Sequence, residues 1–158
     1  MTKKILFPTD FSPASEAAFP YACSLARDSG STLLIVHVDN TQFAYLGEGM
    51  YLPPPTASNP EVERMLGEVV PKDKGVACEH RLVVGDAALE IMRVAQEANV
   101  ELIVMGTHGR GGLSRLLMGS VSEAVVRSAP CPVLTLKQPA KSPLATAKTK
   151  VRSPKTSK

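Results

Sequence analysis

Thr32-Leu33-Leu34-Ile35-Val36-His37-Val38 is the stretch whose reading decides the fold. It is a nearly unbroken apolar run, as expected of a strand covered on both faces rather than one that alternates between core and water. Such strands belong to parallel sheets with crossover helices on either side. Outward from it, short apolar runs and helical patterns alternate. Residues 4–7 read as a first strand, after which Ser12 is a good N-cap and Pro13 a good first helical residue. Ala14, Ala18, Tyr21, Ala22 and Leu25 then recur at helical spacing until Gly30 closes the element.

Beyond the quoted strand, residues 39–58 carry Gly47, Gly49 and Pro53-Pro54-Pro55 and read as a long irregular connection. Asn59 and Pro60 restart a helix with Val62, Met65, Leu66 and Val69 on one face, and Pro71 stops it. Residues 76–84 form a third strand whose Glu79 and Arg81 give it one wet side. Asp86 caps a helix that turns Ala88, Ile91, Met92 and Ala95 inward. Residues 101–105, 120–127 and 132–136 complete the series as strand, short helix and strand. The expected fold is a single-domain α/β structure built on a parallel sheet.

Length and composition agree. The chain of 158 residues fits one domain of about 100–200 residues plus a tail. No apolar run approaches the roughly 20 residues of a membrane span, and the apolar run at the N-terminus is too short for a signal peptide. A cytoplasmic protein is expected. Cys23, Cys78 and Cys131 have no metal-ligand or CxxC spacing and read as buried, reduced thiols. The net charge of +3 averages two unlike regions. Six of the 18 basic residues lie in residues 138–158 with no acid, leaving 12 against 15 acids elsewhere. Residues 1–137 therefore read as a mildly acidic domain and 138–158 as a basic, disordered tail. The tail has no aromatic residues among its bases, so it offers nucleic acid no stacking platform.

The segment richest in chemistry is Gly106-Thr107-His108-Gly109-Arg110-Gly111-Gly112-Leu113-Ser114-Arg115-Leu116-Leu117-Met118-Gly119-Ser120, which follows a strand and opens a helix. Glycines let main-chain N–H groups approach an anion without a Cβ in the way. Ser120 is expected to cap the helix, with Glu123 completing a capping box. A helix N-terminus, with its unpaired N–H groups, favours phosphate. No Walker sequence is present, and the GxGxxG dinucleotide pattern fails at Ser114.

The spacing Gly106-x2-Gly109-x9-Gly119-Ser120 resembles the ATP-binding signature of the universal stress protein family. Pro8-Thr9-Asp10-Phe11-Ser12, His37-Val38-Asp39, Gly85-Asp86 and Ala129-Pro130-Cys131-Pro132-Val133 extend the resemblance over about residues 3–137. It implies a Rossmann-like, open, five-stranded parallel sheet of order 3-2-1-4-5, with helices on both faces. The first and fourth strands would then flank the topological switch point, where open α/β sheets bind ligands. The resemblance further implies ATP as ligand, with Mg²⁺ an option. Pro8, Thr9 and Asp10 would border the adenosine and Val38 would line the adenine slot. Met105 and Gly106 would lie on the ribose side, and Gly109, Arg110, Gly119, Ser120 and Val121 at the phosphates. A homodimer through the apolar edge strand Val133–Leu136 is implied as well, and that edge is exposed to pairing on physical grounds.

Several residues admit a second reading. Asp10 is either a ligand contact or a turn residue. His108 either touches phosphate or is a solvent-facing or structural histidine, while His37 is expected to end a strand and His80 to face solvent. For the whole chain, the leading reading is an ATP-binding stress-response or signalling protein whose bound nucleotide sets conformation and partner binding. A slow ATPase and a nucleotide-free dimeric scaffold are the alternatives. No general base or carboxylate pair for Mg²⁺ stands out to support catalysis.

Overall fold

The computed structural model describes residues 2–40, 59–107 and 118–138. The long connection, the body of the glycine-rich loop with His108, Gly109 and Arg110, and the basic tail lie outside the described residues. Five parallel strands, β1 Lys4–Pro8, β2 Thr32–Asp39, β3 Cys78–Val84, β4 Leu102–Gly106 and β5 Val133–Leu136, stand in the expected order β3-β2-β1-β4-β5. Four helices, α1 Pro13–Ser29, α2 Pro60–Glu68, α3 Ala87–Glu97 and α4 Ser120–Ser128, cover the two faces.

Why the strands are apolar throughout follows from the pleat, which turns successive side chains to opposite faces. Ile5, Phe7, Leu33, Ile35 and Val104 pack under α1 and α2 with Ala18, Ala22, Ala26 and Leu66. Leu6, Leu34, Val36, Ile103 and Met105 pack on the other face with Ile91, Val94, Ala95 and Val125 of α3 and α4. Each central strand thus feeds two cores. The outer strands feed them only through partly buried side chains, Cys78, Leu82 and Val83 from β3 and Val133 and Leu136 from β5, and β5 leaves Leu134 exposed.

The element ends differ from expectation by a residue or two. β1 and β2 extend to Pro8 and Asp39, while β4 runs from Leu102 to Gly106 and β5 begins at Val133. Val76 is buried, but it precedes the ladder, which starts at Cys78. A larger correction concerns Tyr21, expected on the inner face of α1 and found 57% exposed. The helix meets the sheet through Ala14, Ala18, Ala22 and Ala26, a row at i,i+4 spacing that brings the backbone close. Tyr21 lies beside that row and faces solvent.

The helix ends use the residues the sequence pointed to. Ser12, Asn59 and Asp86 accept N–H bonds as side-chain caps of α1, α2 and α3, and Gly30 closes α1 in a left-handed conformation. The three cysteines are free but half-buried rather than fully buried. Burial pushes the Cys23 thiol above its ordinary range, with Cys78 and Asp73 adding to the effect, and burial alone raises Cys131. Among the described residues no helix is long and apolar enough to cross a membrane.

The alanine row gives a clear stability test. Ala22→Leu should lower unfolding free energy by about 1–3 kcal/mol through overpacking, whereas Tyr21→Ala should stay within about 0.5 kcal/mol. Urea denaturation midpoints at constant m-value check both.

Candidate functional site

The strand order makes the chain leave β1 in one direction for β2 and arrive at β4 on its other side. The β1–β4 ladder spans only Ile5↔Leu102 and Leu6↔Ile103, although β1 continues to Pro8 and β4 to Gly106. β1 instead stays with β2 through Pro8↔Val36, and the Thr9 N–H carries that pairing one step further to the Val36 carbonyl at 2.8 Å. The carboxyl ends of β1 and β4 thereby bound the crevice where ligands of open α/β sheets sit.

One wall is the turn after β1. Thr9 is buried, and its Oγ1 accepts the Phe11 N–H at 3.1 Å and lies 3.1 Å from Ser15 Oγ. Its side chain therefore belongs to the start of α1, and only its backbone borders the crevice. Asp10 is half-buried, and its Oδ1 accepts the Ser12 N–H at 3.0 Å, so the turn role is realised. Pro8 is buried at the end of β1.

The opposite wall is built from β4 and α4. A Cβ on Gly106 would lie 2.8 Å from the carbonyl carbon and oxygen of Ala14 and 3.1 Å from the Ser15 nitrogen. Glycine here lets β4 pass directly under the first turn of α1. Met105 and Val38 both pack on the core shared with α3 and α4, Met105 buried and Val38 partly open. The Thr107 N–H donates to the Leu136 carbonyl at 3.0 Å. Its own carbonyl accepts the Gly119 N–H at 2.6 Å and Ser122 Oγ at 2.8 Å. These bonds clasp the two ends of the glycine-rich loop together at the mouth of the crevice.

The expected cap at Ser120 is corrected. Gly119 is the N-cap, with no side-chain bond to the helix, and Ser120 is the first helical residue. Glu123 does not reach back as a capping box; its carboxylate pairs with Arg127 one turn on at 2.7 Å. The cause is Ser122, whose hydroxyl bridges the Thr107 and Gly119 carbonyls and draws the chain into the helix one residue early. The Glu123 N–H to Gly119 carbonyl bond, at 2.9 Å, is the first of the helical ladder. The N–H groups of Ser120, Val121 and Ser122 precede it, without a side-chain cap, as an anion-receptive end. Ser120 is exposed there, and Val121 is half-buried against the core.

Sequence reasoning placed Phe11 and His37 in the motifs after β1 and in β2, with His37 ending its strand, but gave neither a contact at the turn. His37 lies inside β2, is 9% exposed, and its Nδ1 is 2.7 Å from the Thr9 carbonyl oxygen. Its ring stacks on Phe11 with centroids 4.5 Å apart. His80, as expected, is exposed, and its Nε2 contacts the Val69 carbonyl at 2.8 Å. Among the described residues no group of three or more His, Cys, Asp or Glu is placed to hold a metal.

An apolar cavity of about 560 Å³ lies on the α1–α2 face behind the turn after β1, lined by Phe7, Thr9, Phe11, Phe19, Cys23 and Val69. It borders the first turn of α1, which the Ser12 side chain already caps, and its lining includes no residue of α4, so the chemistry of an anion is better matched by the crevice.

Because backbone atoms of α1 fill the space beside Gly106, Gly106→Ala should destabilise the fold by about 1–3 kcal/mol. For a domain of this size that lowers the thermal midpoint by roughly 2–4 °C per kcal/mol, a shift that scanning calorimetry measures directly.

The model of the universal stress protein family matches residues 1–137. Universal stress protein MJ0531 of Methanocaldococcus jannaschii is 36% identical over 143 residues, covering 88% of this chain and 84% of that protein. The structure of the hypothetical protein MJ0577 superposes with a TM-score of 0.67 at 28% identity, covering 89% of this chain and 99% of the other. A universal stress protein family structure from Arabidopsis thaliana, with AMP bound, shares the fold at a TM-score of 0.57 and 23% identity, over 87% of this chain and 93% of its own. With the strand order, the split between β1 and β4 and the family match in agreement, the chain belongs to the universal stress protein family.

Proposed function

We propose that this protein binds an adenine nucleotide, ATP with or without Mg²⁺, in the crevice between β1 and β4, and that the bound state sets its conformation and partner binding in a cytoplasmic stress response. The observation that carries the reading is the meeting of the two ends of the Gly106-x2-Gly109-x9-Gly119-Ser120 signature at the switch point, closed by the Gly119 N–H to Thr107 carbonyl bond. The first turn of α4, which has no side-chain cap, supports a phosphate there. AMP in the Arabidopsis neighbour supports the adenine class.

In this reading Pro8, the Thr9 backbone and Asp10 border the adenosine, Val38 lines the adenine slot, and Met105 and Gly106 lie on the ribose side. Ser120 and Val121 offer first-turn N–H groups to phosphate, Arg110 supplies a forked cation, and His108 and Gly109 complete the loop. Gly119 acts through the chain path, because its own N–H is already engaged by Thr107. The domain is residues 1–137, with the basic segment 138–158 as an appended tail.

Self-association through β5 belongs to the same proposal. That strand is a sheet edge, and Leu134 and Val126 stand 37% and 46% exposed on it and on the neighbouring α4. An apolar edge of this kind is a ready template for pairing with a second copy.

Two measurements test the reading. Nucleotide-stripped protein titrated with ATP, with and without Mg²⁺, should bind with micromolar affinity, roughly −8 kcal/mol, and a folded Gly119→Leu variant should lose it. No heat and no thermal stabilisation at millimolar ATP would sink the proposal. Sedimentation should show a dimer for the parent and a monomer for Leu134→Glu; a parent that sediments as a monomer removes the β5 interface.

A further inference from the structure

We propose that His37 is a positioning residue of the crevice: from β2 it holds the turn of residues 9–12, and Asp10 with it, in the shape that meets the ligand. The proposal deepens the nucleotide reading and rests on it.

Three observations converge on this residue. The first is a hydrogen bond that fixes the tautomer. A carbonyl oxygen only accepts, so at 2.7 Å from the Thr9 oxygen Nδ1 must carry the proton and donate it. The second is the ring stack on Phe11, with planes inclined by 29°. The third is the backbone of Phe11 itself. Its φ of 60° lies in the left-handed region, which a bulky L-residue adopts only when its surroundings hold it there. His37 therefore grips the residue before Asp10 by its carbonyl and the residue after Asp10 by its ring.

Three further side-chain contacts in the turn are local. Thr9 Oγ1 to the Phe11 N–H, Asp10 Oδ1 to the Ser12 N–H, and Thr9 Oγ1 with Ser15 Oγ all join residues within 9–15. Local bonds set the curvature of a turn but not its placement over the sheet. Placement comes from β2, through the Thr9 N–H to Val36 carbonyl bond and through His37. The backbone bond ends at Thr9, whereas the contacts of His37 reach past it to Phe11. A leucine or valine would satisfy the burial of this strand position equally well, but neither would donate to Thr9.

Two substitutions separate the two grips. His37→Phe keeps a ring for Phe11 but removes the donor. His37→Asn places an amide N–H near the Nδ1 position and removes the ring. Calorimetric titration of the full chain with ATP should show a roughly tenfold weaker Kd for His37→Phe and a Kd within about threefold of the parent for His37→Asn. Amide exchange at Phe11 and Ser12 in the unliganded protein should quicken in the Phe variant and recover in the Asn variant. In an Asp10→Asn background, His37→Phe should have little further effect on Kd, since both act through one group.

A Phe variant that binds like the parent overturns the proposal, even if exchange at Phe11 quickens, because the clasp would then serve the fold alone. Equal, additive losses in the Asp10→Asn background overturn it too. If His37→Phe fails to fold, a weakened Kd in a folded His37→Asn variant overturns it, and a retained Kd supports it. A parent that binds no ATP is a different result: it removes the nucleotide reading itself, whatever the variants do.

Discussion

The first turn of α1 lies against the end of β4 with no room for a single carbon beyond the glycine backbone at Gly106. That contact fixes where α1 begins, and hence the far end of the β1–α1 turn, whose near end is held by β2. The helix start lies over the end of β4, three residues beyond Ile103, where the β1–β4 ladder stops. The alanine row along α1 serves the same close approach further down the helix. A crevice at the carboxyl end of the sheet is the consequence, because two strands that separate under a tightly seated helix leave backbone groups facing the gap. Gly106 is thus required by packing, whether or not a ligand is present. The glycines of a phosphate-loop signature need not all answer to the phosphate.

The helix termini divide by the same logic. Ser12, Asn59 and Asp86 satisfy first-turn N–H groups of their helices, as expected for ends that only need to be stable. α4 starts from a glycine and keeps its first turn free of a side-chain acceptor. Its entry is secured from behind instead, by Ser122 and the Gly119 N–H bonding to the Thr107 carbonyl. A carboxylate cap at this end would compete with any incoming anion, electrostatically and for the same donors. The arrangement holds the helix in place without occupying the positive end of its dipole.

How much of this was legible in the sequence depends on the range of the interaction involved. The strands around residues 32–38 and 102–105 were readable because burial on both faces writes itself as uninterrupted apolar sequence. Helix starts at Ser12, Asn59 and Asp86 were readable because a cap bonds two or three residues ahead. Ser120 was misread because its pattern, Ser with Glu three residues on, is also local, yet a bond from Ser122 to Thr107, fifteen residues away, prevailed. Tyr21 was misread because helical spacing gives a face but not the distance to the sheet, which the alanines set. Nothing local distinguishes His37 from any other polar residue near a strand end. Its partners, Thr9 and Phe11, lie 28 and 26 positions back in the chain and are brought near only by the parallel pairing of β1 and β2. The crevice could be placed from topology, but not the contacts that shape its turn.

The stability of the fold and the shape of the crevice therefore draw on the same contacts. The left-handed Phe11 and the close pass at Gly106 are unfavourable features locally, maintained by the surrounding packing. A substitution that loosens α1 on the sheet would relax both, and would alter ligand affinity without touching a ligand. Linkage makes the relation reciprocal: a ligand that binds only the folded form adds RT ln(1 + [L]/Kd) to stability, about 2.7 kcal/mol at a hundredfold excess over Kd. In a domain whose total margin is about 5–15 kcal/mol, that is a large fraction of the whole. A signal carried by occupancy needs no hinge or second domain. It requires only that the elements meeting at the crevice be held less firmly without the ligand than with it, and here those elements are joined by a few specific hydrogen bonds and one stacked pair of rings.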